Sequence, residues 1–427
     1  MKDKNRINRR NFLKSVGAAG LVSVIASKQK AGAGAPNNAD PNVPKQQQKP
    51  ELPQVPKRKL GKTGVEVPVL ALGGGLDFVE NQVILKKAIE WGITYWDTAP
   101  NYKNGSSELG IGNFLKKNPQ EREKLFIVTK ASGAGGKATP ESIWLPDAEA
   151  VEKRLQGSLK KMNTSYIDLY CGIHGLSNAK MLTDELRKWV ENAKKRKLIR
   201  FFGFSTHTNM AECMLAVSKF DWIDMIMPKY SFRNMLDEKM KEAVQACHEK
   251  GIALVAMKAM AKRVKGEPAE EDKKLIKHFT KKGYTEAQAM IKAVLDDNKF
   301  CSACVKMETF AQLTENVTGV LDKTKLTAAD RKILEEYAKA TCSGYCAGCS
   351  NICESALPDA PYVSDIMRYL MYYNRYGEQE SARELFAQIP AATRKKLLSI
   401  NYGAAEKRCP QRMPIAKLMA EAVTKLA

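Results

Sequence analysis

Four residues with acid–base side chains stand where apolar runs give way to loops. The run WGITYW at 91–96 closes on Asp97, and the loop that follows carries Tyr102. The run LFIVT at 125–129 closes on Lys130, and IDLYCGI at 167–173 closes on His174. A charge at the end of an apolar strand is costly unless paired, so Asp97 calls for a cation and Lys130 supplies one. A phenol is a weak acid with a reference pKa of about 10. A neighbouring ammonium stabilises the phenolate and lowers that value, and a carboxylate keeps the ammonium charged and in place. In that scheme Tyr102 is the acid, Lys130 its tuner, Asp97 the anchor, and His174 the group that orients an oxygen. Taken singly, Asp97 reads equally as a helix cap, Lys130 as a surface cation and His174 as a core histidine. Their order at successive strand ends is what points to chemistry.

The elements that position them alternate. Helical patterns at 83–91, 148–162, 183–196 and 287–295 separate strand-like runs at 198–204, 223–230, 251–258 and 301–305. Such alternation predicts a parallel α/β fold, and in a parallel α/β barrel functional groups gather at the C-terminal strand ends. The motifs WDTAPNY with GSSELG, IVTK, and YIDLY with His174 resemble those of the aldo/keto reductase family over residues 59–316. The resemblance implies a (β/α)8 TIM barrel and hydride transfer between NADP(H) or NAD(H) and a small carbonyl or alcohol substrate. It also implies that the opening hairpin, 57–75, plugs the barrel bottom. Ser205 in GFSTH would then hold the nicotinamide carboxamide, and Tyr230 would contact the nicotinamide ring. Gln312, Glu315 and Asn316 keep the spacing of the adenosine-phosphate segment, with Lys306 offering charge to a 2′-phosphate.

Three departures from the family pattern carry expectations. The histidine strand is one residue longer than usual between Asp168 and His174, which predicts a β-bulge. Met227 stands where a glutamine is common, and Cys304-Val305-Lys306 replaces a glycine opening. Cys301 and Cys304 on an apolar strand read as packed thiols rather than a metal pair.

Apolar content is 44% and the formal charge +22. Residues 1–35 hold eight Lys/Arg against Asp3 alone, so much of that charge lies in a leader. The remainder is interspersed with acids, without an aromatic–basic platform, and a nucleic-acid partner is not expected. NRRNFLK at 8–14 resembles the twin-arginine export signal, followed by a mild apolar stretch too short to span a membrane. Residues 1–35 are therefore expected to be a signal peptide read by the twin-arginine machinery, delivering the chain to the periplasm. Residues 36–56, rich in Pro, Gln and Asn, read as a disordered linker. The barrel is expected over 57–322 and a small helical domain over 323–427.

That last region concentrates thiols. Cys342, Cys346, Cys349 and Cys353 fall within twelve residues, and Cys409-Pro410 follows much later. The arrangement resembles a bacterial two-cluster ferredoxin module, found behind the barrel in a subset of aldo/keto reductases. The second half has lost its ligands: Ser399, Tyr402 and Ala405 stand where cysteines would. The resemblance implies one [4Fe–4S] cluster on Cys342, Cys346, Cys349 and Cys409, with Cys353 spare or an alternate ligand, and an electron-transfer partner acting through it. Two disulfides, or zinc, would also explain why the cysteines converge. A second functional reading keeps the barrel as a periplasmic binding module that has lost its cofactor, with the cysteine region as a stapled cap.

Overall fold

Eight of the apolar runs pair as parallel strands and close on themselves. This computed structural model describes residues 52–132, 136–138, 144–260, 269–357 and 360–427. The twin-arginine motif and the expected linker up to residue 51 lie outside the described residues. A hairpin of β1 (Lys57–Lys59) and β2 (Glu66–Pro68) comes first, followed by β3 (Leu70–Gly73), β4 (Tyr95–Asp97) and β5 (Phe126–Lys130). A ribbon of β6 (Gly136–Ala138) and β7 (Trp144–Pro146) interrupts the series. Then come β8 (Ile167–His174), β9 (Ile199–Thr206), β10 (Met225–Pro228), β11 (Ala253–Met257) and β12 (Phe300–Lys306). Leaving out hairpin and ribbon, each strand pairs with the next, and β12 pairs with β3 to close the barrel. The expected (β/α)8 barrel is the fold, and a helical, cysteine-bearing region follows it.

Barrel strands are buried on both faces, so they read as continuous apolar runs, yet the period of two still assigns each side chain. Ala71, Tyr95, Val128 and Leu169 point inward, while Leu70, Leu72, Trp96 and Ile127 pack beneath the helices. The hairpin closes the N-terminal end. Leu60 and Val67 join the interior cluster, and the Arg58 guanidinium donates to the carbonyls of Leu295 and Phe300 at 2.7 Å each. Gly61 (φ +52) presses so close that a Cβ there would lie 2.3 Å from the Gly251 carbonyl oxygen. The plug is where the resemblance placed it.

A second apolar cluster belongs to the C-terminal region, but it also draws Leu275, Phe279, Ala289, Met290 and Ala293 from helices of the barrel. The two parts share buried surface rather than meeting through a linker. The cysteine-bearing turn rests on the C-terminal ends of β9 and β10. Asn209 N–H donates to the Gly348 carbonyl at 2.7 Å, and Lys229 Nζ donates to the Cys346 carbonyl at 2.6 Å. Gly348 (φ +85) has no room for a side chain, because a Cβ would fall 2.1 Å from the His207 carbonyl oxygen. Beyond this turn the helix Val363–Met371 runs into a π-helical turn, Tyr372–Tyr376. These residues roof the barrel mouth.

Candidate active site

Inward alternation explains two of the four acid–base residues directly. Tyr95 and Val128 point into the barrel, so Asp97 and Lys130, each two residues further on, do too. Lys130 Nζ donates to both Asp97 oxygens, at 2.6 and 2.7 Å, and to the Thr98 carbonyl at 2.8 Å. Lys130 is 1% exposed and Asp97 4%, a burial tolerable only because every ammonium proton is taken up. Burial works against charge on Lys130, but the Asp97 carboxylate prevails and holds its pKa above the ordinary lysine range.

Tyr102 sits over this pair, with Lys130 Nζ 4.8 Å from the ring centre. The turn that holds it is strained: Lys103, Asn104 and Gly105 have φ of +50, +52 and +89, left-handed values that non-glycine residues avoid. Two hydrogen bonds among motif residues stabilise that loop. Thr98 and Ser107 hydroxyls hydrogen-bond at 2.7 Å, and buried Glu108 accepts from the Thr129 hydroxyl at 2.7 Å. The expectation that Lys130 brings the Tyr102 pKa below 10 is corrected here. Enclosure in the site raises it by more than Lys130 lowers it, so the resting phenol keeps its proton.

His174 reaches the same face only through the bulge. Cys171 pairs with Gly203, yet Ile173 pairs with Phe204, so Gly172 is the extra residue. In a regular strand, alternation from inward Cys171 would turn His174 outward; with Gly172 taken up in the bulge, Ile173 packs outward and His174 faces in. Glycine is required there, since a Cβ would lie 2.3 Å from the Phe202 ring. His174 meets the Tyr102 ring edge-on, 5.9 Å between centres, and its Nδ1 hydrogen-bonds the Ser132 hydroxyl. Burial, then Lys130, Arg368 and Lys258, press the His174 pKa down to about 3. The imidazole is neutral, and with Nδ1 engaged, Nε2 is left for a ligand. Ser132 escaped sequence reasoning, although it lies two residues beyond Lys130 on the same alternation. Asp168, quoted with this strand, is structural: it is buried between Arg122 (2.9 Å) and Arg200 (2.6 Å).

Tyr102 and His174 open into a cavity of about 1470 Å³. Its floor is the barrel mouth, including Gly73–Gly75, Met227 and Lys306; its roof includes Arg368, Tyr372 and Glu378. Ser205 and the adenosine-segment residues can be tested against a nicotinamide cofactor. The Ser205 hydroxyl is buried at the end of β9 with no protein partner among the described residues, as expected of a group meant for a carboxamide. Gln312, Glu315, Asn316 and Lys306 line one adjoining cavity of about 150 Å³. Lys306 also lines the large cavity, so one cation touches both. It is paired with Glu308 at 2.8 Å. These residues fit a dinucleotide stretched from Ser205 to Asn316. Tyr230 does not. Its ring stacks on Phe300 at 4.2 Å and is 2% exposed in the outer core, because it follows β10 on the outward side; the sequence places it against a nicotinamide, and that placement is corrected.

The thiols also divide differently from the sequence expectation. Cys346, Cys349, Cys353 and Cys409 line one small cavity with Met367 and Ile415, and Cys342 is not among its lining residues. Cys342 instead starts a 3-10 turn, Cys342–Gly344. All ten cysteines are free thiols, so the structure has no disulfide in this region. Among the described residues no group of three or more His, Cys, Asp or Glu stands at metal-binding geometry.

With this geometry in place, comparison with known proteins is informative. The aldo/keto reductase family profile matches residues 69–338, and the chain belongs to the aldo/keto reductase family. Among curated relatives it is similar to an uncharacterised oxidoreductase, YqkF, of Bacillus subtilis, 30% identical over 48% of this chain and 65% of that one. It is also similar to the aldo-keto reductase yakc [NADP(+)] of Schizosaccharomyces pombe, 28% identical over 47% of this chain and 60% of that one. The matched segments thus span under two thirds of these relatives' length. Among solved structures, the thermostable aldo-keto reductase Tm1743 in complex with the inhibitor epalrestat is 26% identical, with a TM-score of 0.53, over 66% of this chain and 99% of that one. An aldo-keto reductase from Bacillus halodurans in its holo form shares the fold, with a TM-score of 0.55 and 24% identity over 67% of this chain and 97% of that one.

Proposed function

We propose that this chain transfers hydride between a nicotinamide cofactor and the carbonyl or alcohol carbon of a small substrate, with Tyr102 as proton donor. The observation that carries this reading is the Asp97–Lys130 pair lying beneath a protonated Tyr102. The cofactor, when bound, supplies or accepts the hydride; this chain's own residues do the rest. Tyr102 gives its proton to the carbonyl oxygen as negative charge develops there. The Lys130 ammonium stabilises the phenolate left behind, and Asp97 keeps Lys130 charged and aimed. Neutral His174, with Nδ1 on Ser132, offers Nε2–H to the same oxygen and fixes which face of the carbonyl is presented. In the oxidative direction the Tyr102 phenolate, stabilised by the Lys130 ammonium, acts as the base.

The test is fluorescence titration of the full chain with NADPH and NADH. Both should bind, and Lys306→Ala should weaken NADPH by roughly tenfold, as loss of one charge-assisted phosphate contact does, and NADH by far less. Folded protein that binds neither nucleotide would overturn the reading in favour of a binding module.

The proposal includes one [4Fe–4S] cluster on Cys346, Cys349, Cys353 and Cys409, with an electron-transfer partner served through it. What supports it is the gathering of four cysteine thiols around one cavity walled by Met367, Val363 and Ile415, side chains whose deprotonated form is suited to iron–sulfur ligation. It further includes export by the twin-arginine route to the periplasm, supported by Arg9-Arg10 in its motif. That route carries folded proteins, which suits a chain that assembles a cofactor before it crosses. Replacing Arg9 and Arg10 together by lysine should leave the protein in the cytoplasm with its leader attached. Normal export of that variant would assign the leader to another route.

A further inference from the structure

The roof of the cavity carries ionisable groups that hydride transfer leaves unused. Lys258 follows β11 with φ +58, a left-handed conformation that lysine holds only where its surroundings enforce it. Its Nζ lies 3.7 Å from the centre of the Tyr372 ring and 5.0 Å from that of Tyr376. Arg368, one helical turn before Tyr372, brings Nη1 to 3.5 Å from the Tyr372 hydroxyl. Tyr372 itself opens the π-helical turn, a feature that recurs at functional sites. Two irregular pieces of backbone, from the barrel and from the C-terminal region, therefore converge on one phenol. All three side chains line the cavity that Tyr102 and His174 line.

Both cations have an acid nearby. Arg368 Nη2 meets Asp365, whereas Lys258 and Glu378 stand 3.8 Å apart, beyond hydrogen-bond length. Neighbouring titratable groups report which sign prevails. Burial alone would raise the Tyr372 pKa, yet Lys258 and Arg368 bring it below the usual phenol range. After burial, the same two cations are among the causes that hold His174 and His207 neutral. The Glu354 carboxylate is engaged by the Ser364 N–H, at 3.1 Å. Glu380 and Glu384 are exposed at the cavity edge, where water screens them. Lys258 and Arg368 flank the Tyr372 phenol on the cavity wall.

We propose that Lys258, Arg368 and the Tyr372 hydroxyl form a carboxylate-binding subsite, so that the substrate carries a carboxylate away from its reacting carbon. The proposal rests on the oxidoreductase reading for what happens at that carbon. A guanidinium edge, an ammonium and a phenol hydroxyl suit a planar oxyanion. Asp365 and Glu378, which line the same cavity beside them, favour a single charge over the two of a phosphate monoester.

Calorimetry on the full-length Tyr102→Phe chain, loaded with NADPH, separates binding from chemistry. The probes are 4-carboxybenzaldehyde, its methyl ester, and 4-formylphenyl phosphate. The acid should bind at least about tenfold tighter than the ester, and tighter than the phosphate. Arg368→Gln and Lys258→Met should each bring the acid-to-ester ratio toward one. Should Arg368→Gln fail to fold, Lys258→Met decides alone, since it removes only an ammonium. Equal binding of acid and ester, a preference that survives Lys258→Met, or a preference for the phosphate each overturns the proposal. An intact acid preference alongside absent NADPH-dependent turnover in the unaltered chain would sink the oxidoreductase reading and leave this subsite standing.

Discussion

Tyr102→Phe is expected to lower turnover by about a hundredfold or more, the usual contribution of a positioned general acid. Its effect on NADPH affinity should be small, because in the proposed mechanism the phenol meets the reacting oxygen and not the dinucleotide. The structure sharpens why the loss is large. Burial holds the Tyr102 pKa above its ordinary value, so in the proposed mechanism the proton leaves only when negative charge grows on the substrate oxygen. Lys130 is what makes that release affordable, since its ammonium stabilises the phenolate. Lys130→Met should therefore cost nearly as much, and it carries a second penalty: Asp97 would remain buried without a partner, a change worth about 3–5 kcal/mol in stability. Phenylalanine creates no such orphan, so Tyr102→Phe is the cleaner test. Near-normal turnover of a folded Tyr102→Phe chain with any reducible aldehyde would remove Tyr102 from the chemistry.

The legibility of this site in the sequence follows from which forces act locally. Asp97 and Lys130 were readable because a strand's period of two and the cost of a buried charge are both local facts. His174 was readable as a strand end, but its inward direction depended on the Gly172 bulge, which a count of one extra residue anticipated. Tyr230 was misplaced. Proximity in sequence to the mouth does not say which side of the barrel a side chain takes, and its partner Phe300 lies seventy residues away. Lys258 was visible as the end of the run GIALVAMK, yet nothing local indicates that Tyr372 and Arg368 would fold back over it. Contacts between distant segments set the roof, so only the folded chain reveals it. The choice among cysteines changes for the same reason. Spacing along the chain favoured Cys342, whereas the turn geometry at Cys342–Gly344 leaves it outside and brings Cys353 in.

That correction gives the cysteine cluster its decisive experiment. Anaerobically purified chain should be brown and carry about four irons, as one [4Fe–4S] cluster requires. Cys409→Ser should abolish or degrade the cluster although Cys409 lies far from the others in sequence, because the helix Ile415–Leu426 packs against Val363–Met371 and holds that end of the chain at the cavity. Cys353→Ser should be equally damaging, since its thiol lines the same cavity. Cys342→Ser should leave both iron and colour intact. The three variants separate the two ligand sets. Loss of iron on removing Cys342, with retention on removing Cys353, would restore the set that spacing alone suggests. Retention in all three would exclude a four-thiolate cluster built on Cys409. Iron-free protein that binds zinc through the same thiols would convert the region into a structural metal site, with hydride transfer at the barrel mouth standing on its own evidence.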